Sequence, residues 1–189
     1  HQTIDPVVAA ANVITALQTI TSRNVSPLEG AVISVTAVRG GEAFNVIPQL
    51  VELRGTVRTF DKDVRSIVLS RFEEVVSQVS GALGCQAEVS FTQVAPPVVN
   101  DAGVAHKITS VARQILPDMN LDNTHRVMVS EDMGYILDRV PGCFMLIGSA
   151  NREKGLSFSH HHPRFDFDEQ VLPQAAALLA AGAFSLLER

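Results

Sequence analysis

No part of this sequence concentrates positive charge: lysine and arginine form no cluster longer than two, and the 189 residues carry a formal net charge of -5. A polyanion is held by a basic surface that neutralises its phosphates, so no nucleic-acid partner is expected. Cysteine is equally scarce. Cys85 and Cys143 are the two in the chain, far apart and each in a strand-like apolar stretch, which is the ordinary setting of a small buried thiol. That usage points to a reducing compartment, the cytoplasm. Long hydrophobic runs are missing too. The longest near an end, VLPQAAALLAAGAFSLL at 171–187, holds a proline and a glutamine and falls short of the roughly 20 residues a bilayer requires. It reads as a core helix, and no membrane partner is expected. The chain opens HQTIDPVV with neither a Met nor a signal-like segment, like a piece from the middle of something longer.

What is present is globular. With 46% hydrophobic and 19% charged residues, the chain is long enough for one large or two small domains. Asp5 before Pro6 marks a helix start, a carboxylate to cap free N–H groups and a proline at the first helical position. Ala10, Val13, Ile14, Leu17 and Ile20 then recur at helical spacing up to about Thr21. AVISVTAV at 31–38 is rich in β-branched residues and predicts a strand, and RGGEAFNVIP after it predicts a loop. In 51–58, Val51, Leu53 and Val57 alternate with Glu52, Arg54, Thr56 and Arg58, so one face is buried and Arg58 points away from the core. Asp61 caps a second predicted helix with Val64, Ile67, Val68, Val75, Val76 and Val79 on one side, ending near Gly81 and Gly84. CQAEVSFTQV at 85–94 alternates as a third strand.

The order helix, strand, strand, helix, strand is a βαββαβ unit, helices on an antiparallel sheet, without its first strand. Pro96 and Pro97 close it and mark a domain boundary. Beyond them the pattern predicts a helix at about 101–115, a helical turn after SEDM, a buried strand at 143–147, and a terminal helix from about Asp168 to Leu187.

The histidine triplet of SFSHHHPRFDFDE (157–169) raises the question of a metal site. On an extended backbone His160 and His162 share one face and His161 takes the other, so one ion does not easily take all three. Asp166 and Asp168 are expected to cap and begin the terminal helix, where the helix dipole favours carboxylates. Ser130 and Asp132 of SED are ordinary caps for the helical turn at Met133.

Four stretches in this order, HQTIDPV, GGEAFNVIP with GTVRTFD, SEDM with VPG and a strand ending in Gly148, and HHPRFDFDE, resemble the C-terminal half of the metal-dependent aminoacylase, carboxypeptidase and hippurate hydrolase family. The nearest subgroup holds the hippurate hydrolases and indole-acetyl-amino-acid hydrolases. The resemblance implies an α/β fold with an α+β lid: a ferredoxin-like lid or dimerisation domain lacking its first strand over 1–95, then the C-terminal part of a metallopeptidase-type catalytic domain over 96–189. It implies hydrolysis of N-acyl amino acids by a water activated on two divalent metals, zinc, manganese, nickel or cobalt. It also implies a homodimer formed through the lid. His161 matches a metal ligand, Asn45 an asparagine that reaches the active site, often that of the other subunit, and Arg58 the arginine that binds the substrate's carboxylate. A guanidinium suits that last task because it forms two parallel bonds to a carboxylate. Glu131 and Asp132 match a segment beside the metal site. The remaining ligands and the general base are expected on an N-terminal half that this chain does not carry, so the isolated chain is expected to be inactive. A rival expectation is a non-catalytic dimerisation or interaction module.

Overall fold

Asp5 begins the first helix as its side chain accepts hydrogen bonds from the Val7 and Val8 N–H groups, satisfying two of the donors that a helix N-terminus leaves free. In this computed structural model, which describes residues 1–187, α1 runs Pro6–Thr19 and widens into a π-helical turn at Ile20–Asn24. Strands β1 (Ala31–Arg39) and β2 (Glu52–Thr59) follow, then α2 (Lys62–Ala82), capped by Asp61 through the Asp63 and Val64 N–H groups. Further on come α3 (Ala102–Ile115), capped by Asp101, the short α4 (Met133–Leu137) and α5 (Val171–Leu187). The described residues form two compact units, one of His1–Pro97 together with Met128–Ser130, the other of Val98–Val127 with the residues from Glu131 onward.

In the first unit α1 and α2 pack on each other and on the β1–β2 pair. The core is Val13, Leu17, Ile20, Ile33, Val68 and Val76, with Leu53 and Val57 packed against it from β2. Leu17, Ile20 and Val68 are fully buried, each stabilising by about 1.5–3 kcal/mol. Two apolar positions of the expected stripes stay out of this core. Ile14 is half-buried and Ile67 is exposed, whereas Phe72, outside the stripe, packs into it.

β1 and β2 pair antiparallel, with Ile33 opposite Val57 and Val32 opposite Arg58. The register shifts between Val35 and Ala37, a bulge that puts Gly55 against the neighbouring backbone. A Cβ there would lie 2.0 Å from the Ser34 carbonyl oxygen, so only glycine fits.

The expected third strand at 85–94 is a correction: it forms no ladder. Val89 still packs against the core and Phe91 sits edge-on to Phe72, with ring centroids 5.3 Å apart, so the segment lies beside the core without joining the β1–β2 ladder. The expected buried strand at 143–147 is a second correction. It too has no ladder, and Leu146 is exposed. Cys143, Met145 and Ile147 alternate onto the core of the second unit, formed by Ile108, Val111, Ala112 and Leu178. Part of its backbone is satisfied by a side chain: the Asn100 carboxamide accepts from the Phe144 N–H (2.8 Å) and donates to the Phe144 carbonyl (3.0 Å), doing what a strand neighbour would do.

α3 and α5 pack closely because Gly182 lets them; a Cβ there would meet Ile108 Cδ1 at 2.7 Å. Among the described residues no helix is long and apolar enough to cross a membrane. α5 buries Leu178 and Gly182, but Leu172, Leu179 and Phe184 are exposed, so it is a core helix along one stripe only.

Candidate functional site

Arg58 sits near the end of β2, half-buried, on the face opposite Val57. Alternation along the strand puts it there, since Leu53 and Val57 are drawn to the core. Its Nη1 donates to the Met128 carbonyl oxygen (3.1 Å) and to Ser130 Oγ (3.3 Å). Both acceptors are neutral. Among the described residues no carboxylate pairs with this guanidinium, in contrast to Arg54, whose Nη2 lies 2.7 Å from Glu52.

Asn45 lies in the loop between β1 and β2, where the Val46 N–H donates to the Ala43 carbonyl (3.4 Å). Its carboxamide makes no hydrogen bond within the described residues, so it is not spent on its own turn. Together with Asp5, Val7 and Gly40–Pro48 it lines a cavity of about 470 Å³, and the Phe44 side chain beside it is fully exposed. Asn45 and Arg58 are not brought together. The loop leaves the ladder at the Arg39–Glu52 end, and Arg58 is six residues further along β2, about 20 Å at ~3.3 Å per residue.

The SED segment divides its work in a way that spacing does not foretell. Ser130 turns its hydroxyl to Arg58, while Glu131 Oε1 accepts from the Met133 N–H (3.4 Å). Asp132 holds the N-cap position of α4 without a side-chain cap bond. Local capping is thus carried by Glu131, not by Ser130 or Asp132.

The histidine triplet is not extended, which corrects the expected two-faced arrangement. The His162 N–H donates to the Ser159 carbonyl (3.2 Å) and the Phe165 N–H to the His162 carbonyl (2.9 Å), making two successive turns. His162 stacks on Phe158, centroids 4.3 Å apart, and its Nδ1 accepts from the Arg164 N–H (3.1 Å). His160 packs edge-on to Phe165 (4.8 Å). His161, at the third position of the first turn, has a φ of 67°, a conformation that costs a non-glycine residue free energy. It is the exposed imidazole of the three that no aromatic ring engages among the described residues.

Asp168, expected to begin the terminal helix, lies three residues before α5 and ties down a loop instead. Its carboxylate accepts from Asn151 Nδ2 (2.7 Å) and Lys154 Nζ (2.9 Å), its N–H donates to the Ser149 carbonyl (2.9 Å), and it still accepts from the Gln170 N–H (3.3 Å). The Lys154 hydrogen bond, then that of Asn151, holds this carboxyl below the usual aspartate range. Among the described residues Asp166 accepts only from the next residue's N–H. Cys143 is a half-buried thiol that desolvation pushes up, which fits a packing role.

Residues 4–183 match the model of peptidase family M20/M25/M40. The chain belongs to this family. It is 36% identical over 188 residues to N-acetyl-L-cysteine deacetylase of Bacillus subtilis (strain 168), covering 100% of this chain and 44% of that protein. To IAA-amino acid hydrolase ILR1-like 2 of Arabidopsis thaliana it is 35% identical over 192 residues, covering 100% and 43%. Its fold is similar to that of the Bacillus subtilis YXEP protein, a dinuclear metal binding peptidase from the M20 family, with a TM-score of 0.81 and 30% identity over 98% of this chain and 47% of that one. The chain spans about half the length of the curated relatives it matches.

Against the two metals of that M20 structure, the donors present here fall short. Among the described residues no three His, Cys, Asp or Glu side chains are grouped so as to hold an ion. Tight sites for such ions need at least three protein ligands in fixed geometry, so this chain's residues do not by themselves fit the pair.

Proposed function

We propose that these 189 residues are the lid and the closing part of the catalytic domain of an M20 amidohydrolase that cleaves N-acyl amino acids, and that their share of the work is substrate recognition. The first unit acts as the ferredoxin-like lid, approximately 1–95, and 96–189 belongs to the catalytic domain. The observation that carries this reading is Arg58: a half-buried guanidinium, fixed by two neutral acceptors and without a carboxylate partner among the described residues. Such a group is poised for an anion that comes from outside, and an N-acyl amino acid has one carboxylate to offer. The names of the two curated relatives support the class, since N-acetyl-L-cysteine and indole-acetyl-amino acids both carry that group.

Asn45 contributes a free carboxamide to the substrate. Its place at the other end of the ladder from Arg58 suits service in the site of a second subunit, so the active form is a homodimer joined through the lid. His161, freed of the stacking that occupies its neighbours, is the histidine offered to the metals, and Glu131 and Asp132 lie in the segment beside them. The ions, zinc, manganese, nickel or cobalt, and the base that takes the proton rest on residues beyond this set. Kinetics on the complete enzyme tests the reading: with Arg58→Ala, N-acyl amino acids should lose rate while their carboxamides do not. Equal loss for both would show that Arg58 only supports the fold.

A further inference from the structure

Resting on that reading of Arg58, we infer that Ser130, with the Met128 carbonyl, is a positioning residue that decides which edge of the guanidinium receives the substrate. Nη1 carries two N–H bonds and has two acceptors in reach, Met128 O at 3.1 Å and Ser130 Oγ at 3.3 Å. A planar guanidinium has two edges that bind a carboxylate in parallel fashion, one made by Nη1 with Nη2 and one made by Nη2 with Nε. With Nη1 committed, the first edge is spent. Nη2 and Nε have no acceptor among the described residues, so the second edge is the one presented. The carboxylate is therefore taken side-on.

The three residues are suited to the task. Met128–Ser130 belongs to the same compact unit as β2 although it is some 70 positions away in sequence, so the clamp and the arginine move as one body. The Met128 contribution is a backbone carbonyl, which no side-chain change removes. Arg58 stands directly opposite Val32 on the ladder, so its stem rests on a fixed strand and the remaining freedom is rotation of the head. Ser130 removes that freedom. Because its oxygen accepts from Arg58, its own proton points elsewhere, and no charge is added beside the guanidinium to compete with the incoming anion. An acidic residue at this position would neutralise the site; a hydroxyl orients it without doing so.

The test compares two variants of the complete enzyme that differ in the hydroxyl alone, Ser130→Thr and Ser130→Val, against Arg58→Ala, on N-acetyl amino acids and on their carboxamides. Ser130→Val should raise KM for the free-carboxylate substrates about three- to tenfold, the size of one ordinary net hydrogen bond at a solvent-exposed contact, with kcat nearly unchanged and carboxamides unaffected. Ser130→Thr should restore KM to within about twofold. Side-chain NMR of Arg58 supplies a readout without turnover, because the separate Nη proton signals of a clamped head should merge in Ser130→Val. If Arg58→Ala separates carboxylates from carboxamides while Ser130→Val leaves KM for both unchanged, this inference alone falls. If Ser130→Val slows both substrate types alike, Ser130 supports the fold and the inference also falls. If Arg58→Ala itself fails to separate them, the reading of Arg58 falls and takes Ser130 with it.

Discussion

At the scale of single residues, the contrast between Arg54 and Arg58 is instructive. The two face the same way on β2, yet Arg54 is exposed and paired with Glu52, whereas Arg58 is half-buried and held by a carbonyl and a hydroxyl. An exposed ion pair contributes little; an oriented guanidinium without an anion among the described residues is what the proposed recognition of a substrate carboxylate rests on. In the complete enzyme Arg58→Ala should weaken transition-state binding of free-carboxylate substrates by about 2–4 kcal/mol, as expected when a charged group loses its partner, measured as the change in kcat/KM. Gly55 acts on the same strand by a different route. A Cβ 2.0 Å from the Ser34 carbonyl forces the β-bulge apart, so Gly55→Ala should cost about 2–3 kcal/mol of stability, read from denaturant unfolding. A loss below about half a kcal/mol would show that the bulge relaxes freely.

At the scale of elements, the loop from Ser149 to Asp168 is closed at its base and bears the histidine turns at its far part. Asp168 joins the two ends through Ser149, Asn151 and Lys154. Because its carboxyl is held low in the folded protein, the charged form stabilises the loop fully above the ordinary unfolded value near pH 4. That contribution is lost as pH falls through the lower folded value. Asp168→Asn should therefore be less stable than the parent at neutral pH, with the gap closing below about pH 4. Unfolding curves across that range check it, and a gap independent of pH would remove the charge from the account. Lys154 is half-exposed, so added salt should narrow the gap as well.

At the scale of the whole molecule, recognition and chemistry are separable. The described residues offer an arginine that no carboxylate pairs with and an asparagine whose carboxamide makes no hydrogen bond among them, but no three-donor metal group. The 189-residue chain alone should therefore hydrolyse no hippurate or other N-acyl amino acid measurably, and should bind zinc, manganese, nickel or cobalt weakly. Calorimetric titration of each ion, beside an activity assay, tests both. Submicromolar affinity at one site, or turnover by the chain alone, would show that the metal centre is not divided as proposed.

The sequence by itself determined what depends on near neighbours. Asp5 with Pro6 and Asp61 each start a helix where a cap was legible, because a cap joins groups two or three residues apart. The outward face of Arg58 followed from alternation within one strand. Tertiary structure decided whatever needed a distant partner. The alternation at 85–94 and the apolar run at 143–147 were legible, but a strand exists only through a ladder with another strand, and among the described residues neither segment forms one. Two turns and two aromatic contacts, not the extended backbone assumed for the triplet, set His161 apart. Ser130 read as a helix cap until folding brought Arg58 to it from 72 positions away, a hydrogen bond for which no local pattern carries a signal.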